Sequence, residues 1–272
     1  MVPGLAGRSA PRLVATDLDG TLLDADGVVS SRTRAVLDAL DERGVPVVFT
    51  TGRPVRWMVD LWEAVGGHGL AICSNGGVVY DVARREVRDF SAVPREVGLE
   101  LAERVRAAVP GTSFAVEHTG GWASETGFPR HPDDLRSEQG TWESIYTDDV
   151  VKVLAVHRDH EPEEFWRRVE DAVGDLATTT WSSTFALVEI SAAGVTKATT
   201  LATVATELGV GAEDVVAFGD MPNDLPMLEW AGTAYAMANA HPSVREAADL
   251  VAPGNDEDGV AAVLADLFDL PR

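Results

Sequence analysis

An α/β fold is predicted, with a parallel sheet covered by helices on both faces and a mixed α+β domain inserted into it. Two observations predict it. Near both ends of the chain, short apolar strands alternate with helix signals, the pattern of a parallel sheet built with crossover helices. From about Val82 to Glu189 the pattern changes to longer, more alternating strands with few short strand-to-helix turns. That stretch is far too long to be a loop in a compact domain. Residues 1–81 and 190–272 are therefore assigned to the sheet domain, and residues 82–189 to the insertion.

The elements follow in order. Leu13–Thr16 reads as a short buried strand. Ser31–Arg43 reads as a helix, capped by Ser30 or Ser31 and stopped by Gly44. Val45–Thr50 is a second strand. Pro54–Val65 reads as one helix, with proline in its first turn and Gly66-Gly67 closing it. Leu70–Cys73 is a third strand. In the insertion, Val151–Val156 and Phe185–Ile190 are candidate strands, and Arg95–Ala108 and Glu163–Val173 candidate helices. Beyond it come helix Lys197–Leu208, strand Asp214–Phe218, helix Asn223–Trp230 and strand Ala234–Met237. Helices Pro242–Ala248 and Asp258–Phe268 close the chain.

Composition narrows the function classes. The 272 residues suffice for one large or two small domains, and 45% hydrophobic content is that of a globular protein. The formal charge is -22, which argues against nucleic acid and anionic membranes as partners. The same field repels a phosphorylated substrate, so an anion site needs local cations. Cys73 is the single cysteine, which excludes an internal disulfide and a cysteine-rich metal site. Residues 1–11 lack the apolar stretch of a signal peptide and read as a disordered tail. No apolar run is long enough to cross a bilayer, so a cytoplasmic protein, monomer or homodimer, is expected.

The chemistry concentrates where strands end. Asp17 and Asp19 sit where the first strand gives way to Gly20-Thr21. Alternate side chains of an extended chain share a face, so both carboxylates can start on one side. Thr51-Gly52-Arg53 follows the second strand, and Ser74-Asn75-Gly76-Gly77 the third. Gly219-Asp220-Met221-Pro222-Asn223-Asp224 follows the strand ending at Phe218, and Lys197 opens a helix. Singly, these read as capping turns or a surface lysine. Together they fall outside the carboxyl ends of parallel strands, where open α/β sheets bind ligands. Gly209-Val210-Gly211 reads as a helix stop, and Asp256-Glu257-Asp258 as acid favouring a helix start. His157 and His160 read as a surface turn.

With these residues the chain resembles the haloacid dehalogenase-like superfamily, and within it the Cof-type phosphatases. Asp-x-Asp-Gly-Thr-Leu, Thr-Gly-Arg, Ser-Asn-Gly-Gly, the motif lysine and Gly-Asp-x-x-Asn-Asp-x-x-Met-Leu occur in that family's order. Ala238-Asn239-Ala240 and Asn255–Val260 match its closing segments. Two positions depart from the usual pattern, Ala198 after the lysine and Ala238 where glycine is common. The resemblance implies a Rossmann-like core with an α+β cap of the second class. It implies Asp17 as nucleophile and Asp19 as general acid and base. It implies Mg²⁺ held by Asp17, the Asp19 carbonyl and Asp220, with Asp224 binding through water or orienting the others. Thr51, Gly52, Lys197 and Asn223 would hold phosphoryl oxygens, and Thr21, Arg53, Asn75 and Gly76 would lie near substrate. The implied activity is Mg²⁺-dependent hydrolysis of a small phosphorylated metabolite, a sugar phosphate or phosphorylated cofactor, through an aspartyl-phosphate.

Competing readings are a phosphomutase or phosphosugar-specific phosphatase on the same core, a carbon–halogen hydrolase, and a phospho-accepting signalling module. A carbon–halogen hydrolase needs neither Asp19 nor a metal cluster, and a signalling module is about half this length and lacks the insertion. In the cap, His118, Trp122, Trp142 and Trp181 are candidates for leaving-group contacts.

Overall fold

A computed structural model gives the fold and describes residues 10–58, 61–67, 69–129, 137–181, 183 and 185–271. Residues 1–9 of the expected tail lie outside the described residues. The first part of the chain forms β1 (Leu13–Asp17), α1 (Ser31–Glu42), β2 (Val47–Thr50), α2 (Leu61–Ala64), β3 (Leu70–Cys73), β4 (Val78–Asp81) and β5 (Glu86–Phe90). The middle forms α3 (Arg95–Ala108), β6 (Ser113–His118), β7 (Gly121–Glu125), β8 (Glu138–Gly140), α4 (Trp142–Ile145), β9 (Val150–Val156), α5 (Pro162–Val173), β10 (Ala177–Thr180) and β11 (Leu187–Ala192). The last part forms α6 (Lys197–Glu207), β12 (Val215–Gly219), α7 (Leu225–Trp230), β13 (Thr233–Met237), α8 (Pro242–Ala247), β14 (Leu250–Ala252) and α9 (Gly259–Leu267).

Eight strands form one sheet in the order β14-β13-β12-β1-β2-β3-β4-β5. The first six run parallel, and β3-β4-β5 continue as antiparallel neighbours. Central strands β1, β2 and β12 are buried along their whole length, which their unbroken apolar runs require. Helix caps are local in origin. Ser30 Oγ accepts a hydrogen bond from the Thr33 amide at 3.0 Å, and Gly44 closes α1 at φ +69°. The Thr196 hydroxyl accepts from the Thr199 amide at 3.1 Å, while Thr199 Oγ1 accepts from the Thr196 amide at 2.9 Å. This reciprocal cap fixes where α6, and with it Lys197, begins.

A second sheet has the order β10-β11-β9-β6-β7-β8, antiparallel except for β7 with β8. Helices α3 and α5 cover one of its faces around Leu101, Val105, Phe165 and Val169. The chain passes between the sheets after Phe90 and returns after Ala192. Both crossings correct the boundaries expected at Val82 and Glu189. Val78 pairs with Phe90, so β4 and β5 are one hairpin of the first sheet, and Ala192 still pairs with Ala177 in the second.

The helix expected over Pro54–Val65 is also corrected. The described residues show a single turn at Val55–Trp57 and then α2, with residues 59 and 60 outside the description. Met58, Trp62 and Val65 turn into the core, whereas Arg56 reaches across to Glu117 of β6. A contact to the other sheet overrides helix propensity here.

Candidate active site

Parallel strands bring their carboxyl ends to one edge. Asp17 ends β1 beside Thr50, and Thr51, Ser74 and Asp220 follow the ends of β2, β3 and β12. The turn after Asp17 needs Gly20, whose φ is +74°. A Cβ there would stand 2.4 Å from Asp220 Oδ2. The next residue, Thr21, donates its hydroxyl to Asp220 Oδ1 at 2.9 Å. Asp19 points the other way, its carboxylate gripped by both prongs of the Arg53 guanidinium, with Nε at 2.8 Å from Oδ2.

Lys197 binds two of the acids at once. Its Nζ donates to Asp17 Oδ1 at 2.5 Å and to Asp224 Oδ1 at 2.7 Å, and all three side chains are buried. Asp224 Oδ2 accepts from the amides of Asp220 and Met221 at 3.0 and 3.1 Å. Both its oxygens are thus engaged within the protein. Burial lowers the affinity of Lys197 for its proton, but Asp17 and Asp224 outweigh burial and hold the ammonium above its usual range. Burial is the largest influence on Asp17 and raises its carboxyl well above normal. Lys197 opposes that, while Asp224 and Asp220 reinforce it. Burial first and Asp224 second push Asp220 up to about 6.

Charge counting explains these directions. Asp17, Asp220 and Asp224 place carboxylate oxygens within 4.8 Å of one another, against a single ammonium. Such an excess of buried negative charge calls for shared protons or for a cation. All the donors are hard carboxylate oxygens, which suits a hard divalent ion. The buried aspartate trio can therefore hold a metal.

The second sheet closes over this edge through a buried ionic network. Lys152 of β9 donates Nζ to the Gly52 carbonyl at 2.6 Å, to Glu189 Oε1 at 2.6 Å and to Glu117 at 3.2 Å. Glu117 accepts from the Ser74 hydroxyl at 3.2 Å, and Glu189 accepts from Asn75 Nδ2 at 3.0 Å. Burial lowers the Lys152 pKa, but Glu117 and Glu189 more than offset it, so its ammonium is held above the usual range. Between the sheets lies a cleft of about 620 Å³ with Asp17 and Asp19 in its lining.

Most of the residues singled out in the sequence meet here. Asp17, Asp19, Thr21, Thr51, Gly52, Arg53, Asn75, Lys197, Asp220, Asn223 and Asp224 gather at one sheet edge. The Thr51 hydroxyl accepts from the Arg53 amide at 3.0 Å, and Asn223 Nδ2 donates to Asn75 Oδ1 at 3.2 Å. Gly76 is an exception. It packs against the start of α6, where a Cβ would lie 2.4 Å from the Thr196 carbonyl oxygen. Of the four cap candidates, Trp122 lines the cleft. Trp142 is buried in the second sheet's own core, Trp181 stacks on Trp166 at 6.0 Å, and His118 lies 3.8 Å from Asp149. Sequence reasoning missed Arg56, Glu117, Lys152 and Glu189. The signal available was a charge inside an apolar strand, as in Val150-Val-Lys-Val-Leu154 and Leu187-Val-Glu-Ile190.

A parallel sheet whose strand ends carry an aspartate cluster, with a second sheet seated over that edge, is the class of fold and site found here. The sequence profile of the haloacid dehalogenase-like hydrolases matches residues 14–264, and the chain belongs to that family. It is 29% identical over 257 residues to the 5-amino-6-(5-phospho-D-ribitylamino)uracil phosphatase YcsE of Bacillus subtilis, covering 93% of this chain and 94% of that one. It is 32% identical over 255 residues to a phosphoglycolate phosphatase of Halorubrum lacusprofundi, covering 93% and 96%. The crystal structure of a haloacid dehalogenase-like hydrolase from Bacteroides thetaiotaomicron superposes with a TM-score of 0.78 at 27% identity, covering 95% and 100%. No described helix is long and apolar enough to cross a membrane.

Proposed function

We propose that this enzyme is a Mg²⁺-dependent phosphatase that hydrolyses a small phosphorylated metabolite through an aspartyl-phosphate on Asp17. The observation that carries the reading is the buried Asp17–Lys197–Asp224 arrangement beside Asp220. It offers a nucleophile, a phosphate-facing cation and metal-holding oxygens within a few ångströms. The two relatives, both named as phosphatases of small phosphate esters, support the same chemistry.

In this reading an Asp17 oxygen attacks phosphorus, and the ester P–O bond breaks as the new O–P bond forms. Asp19 leaves Arg53, turns to the leaving oxygen and supplies its proton. Water then attacks the same phosphorus while Asp19 takes the water's proton, the Asp17 O–P bond breaks to return the carboxylate, and free phosphate departs. Lys197, the Thr51 hydroxyl and the second N–H of Asn223 hold phosphoryl oxygens. Asp17, Asp220 and the Asp19 carbonyl would hold Mg²⁺, which when bound neutralises charge and polarises the phosphoryl group. Asp224, with both oxygens engaged, positions Lys197 and the Asp220 backbone instead of binding the ion directly. The groups outside the strand ends, residues 93–192, are proposed to fold as a separate lid.

The test is phosphate release from a panel of phosphate monoesters. Release is expected with Mg²⁺, is expected to stop in excess chelator, and is expected to return when Mg²⁺ is restored. Ca²⁺ should substitute poorly, because its looser coordination misplaces the nucleophile. No release from any ester, or full release in chelator, overturns the reading.

A pH dependence follows from Asp220. Its carboxyl lies at about 6 in the metal-free protein, against 3.8 for an ordinary aspartate. Below that point Mg²⁺ competes with a proton, so affinity should fall by about tenfold per pH unit under pH 6. Without metal, the folded state binds more protons than the unfolded one between those two values. This group's contribution to stability is then largest near pH 4 and is lost as pH rises through 6. Calorimetric titration with Mg²⁺ and urea melts at pH 4.5, 6 and 7.5 measure both effects.

A further inference from the structure

The second sheet has two apolar faces, and its helices cover one. The other carries a separate cluster of Trp122, Phe128, Leu154, Val156 and Leu187, distinct from the core under α3 and α5. All five line the cleft whose lining also includes Asp17 and Asp19. Phe185, which is 57% exposed, stands in the same wall. From the side of the first sheet, Trp57 lines the cleft at 47% exposure. Large aromatic side chains left in water beside a reaction centre mark a binding surface.

The polar groups of this wall are committed. Glu117 accepts from Arg56 at 3.3 Å and from Lys152 at 3.2 Å, and Lys152 is also held by Glu189 at 2.6 Å. Arg53 is paired with Asp19. Arg56 and Lys152 therefore each face a carboxylate, and Arg53 does so until Asp19 turns to the leaving oxygen. A polyol seated on the apolar wall would leave the hydroxyls facing it without partners, at about 1–3 kcal/mol for each unsatisfied group. A short carboxylic acid would leave this apolar wall uncovered. The Arg56 guanidinium lies 5.1 Å from the Trp122 ring and 4.9 Å from the Trp57 ring, so the two indoles and the cation form flat walls.

We propose that the preferred leaving group is a flat, largely apolar aromatic or heteroaromatic ring bearing a primary alcohol, seated on Trp122 and its apolar neighbours. It is not a sugar or a short hydroxy acid. The ring stacks between the two sheets, and its phosphate reaches Asp17. This deepens the phosphatase reading and rests on it.

The test compares naphthylmethyl phosphate with glucose 6-phosphate and phosphoglycolate. All are esters of primary alcohols, so leaving-group reactivity differs little. With Mg²⁺, kcat/KM for naphthylmethyl phosphate should exceed both others by at least about tenfold, chiefly through KM, the scale of one well-placed apolar contact. Trp122→Ala should reduce that ratio by about tenfold. Phe185→Ser, at an exposed position that does not threaten folding, should reduce it by about threefold. Equal or better use of the other two esters, or an unchanged ratio in both variants, overturns the inference and leaves the phosphatase reading standing. Calorimetric binding of naphthylmethylphosphonate separates the two ideas. Binding that weakens in Phe185→Ser, with no ester hydrolysed, supports the apolar site and overturns the phosphatase reading.

Discussion

Asp17→Asn is expected to abolish turnover and leave the fold intact. The amide has nearly the shape of the carboxylate but cannot attack phosphorus, so the loss should be on the order of 10⁴-fold or more, the scale of removing a covalent nucleophile. The fold should tolerate the change because Asp17 is a strained charge. Burial drives its carboxyl upward, and Asp224 and Asp220 add repulsion. Neutralising it relieves crowding among three acids that share one ammonium. The metal-free variant should therefore melt no lower than the parent. Initial rates with the best ester and a thermal melt without Mg²⁺ decide the matter. Turnover within tenfold of the parent removes the covalent mechanism.

Lys197→Ala should damage both activity and stability. The ammonium is buried between Asp17 and Asp224, and alanine leaves those carboxylates with no internal cation. Breaking a buried pair in this way costs about 3–5 kcal/mol, so the metal-free variant should unfold at markedly lower urea. Saturating Mg²⁺ should recover part of the loss, because the ion binds the folded site. Recovery of the fold should not recover the rate. The phosphoryl group loses a fixed positive charge in the transition state, worth roughly 10²–10³-fold in kcat. Lys197→Arg should restore stability better than rate, since a planar guanidinium cannot point one charge at two acids and the phosphate alike. An alanine variant with parental kcat shows that the lysine only balances charge.

Much of the site was legible because its residues follow apolar runs directly. Asp17 after Leu13–Thr16, Thr51 after β2 and Asp220 after β12 are each reported by a few neighbouring residues. A parallel sheet then brings such strand ends together without further information. Lys197 was legible for a similar reason, since Thr196 and Thr199 cap α6 locally. Strands β1, β2, β3, β12 and β13 and helices α1, α6, α7, α8 and α9 follow from the same short-range patterns to within a residue or two at their ends, whereas β4, β5 and β14 were not assigned.

What the sequence by itself determined, then, is the layered α/β plan, the inserted segment and the ring of strand-end acids, because each depends on adjacent side chains. Only the tertiary structure decided the rest. Lys152 faces Glu117 because antiparallel β6 and β9 pair in that register, and it reaches the Gly52 carbonyl because the second sheet seats on the first. The turn at Val55–Trp57 replaces a helix because Arg56 meets Glu117 across the cleft. The strand Glu86–Phe90 belongs to the first sheet although its residues are mostly exposed, because the β4 edge is open to pair with it. Trp122 rather than Trp142 lines the cleft because the helices cover only one face of the second sheet. These outcomes depend on contacts between residues far apart in the chain. A strand's own side chains reveal its two faces, but not which face meets helices and which meets the other sheet.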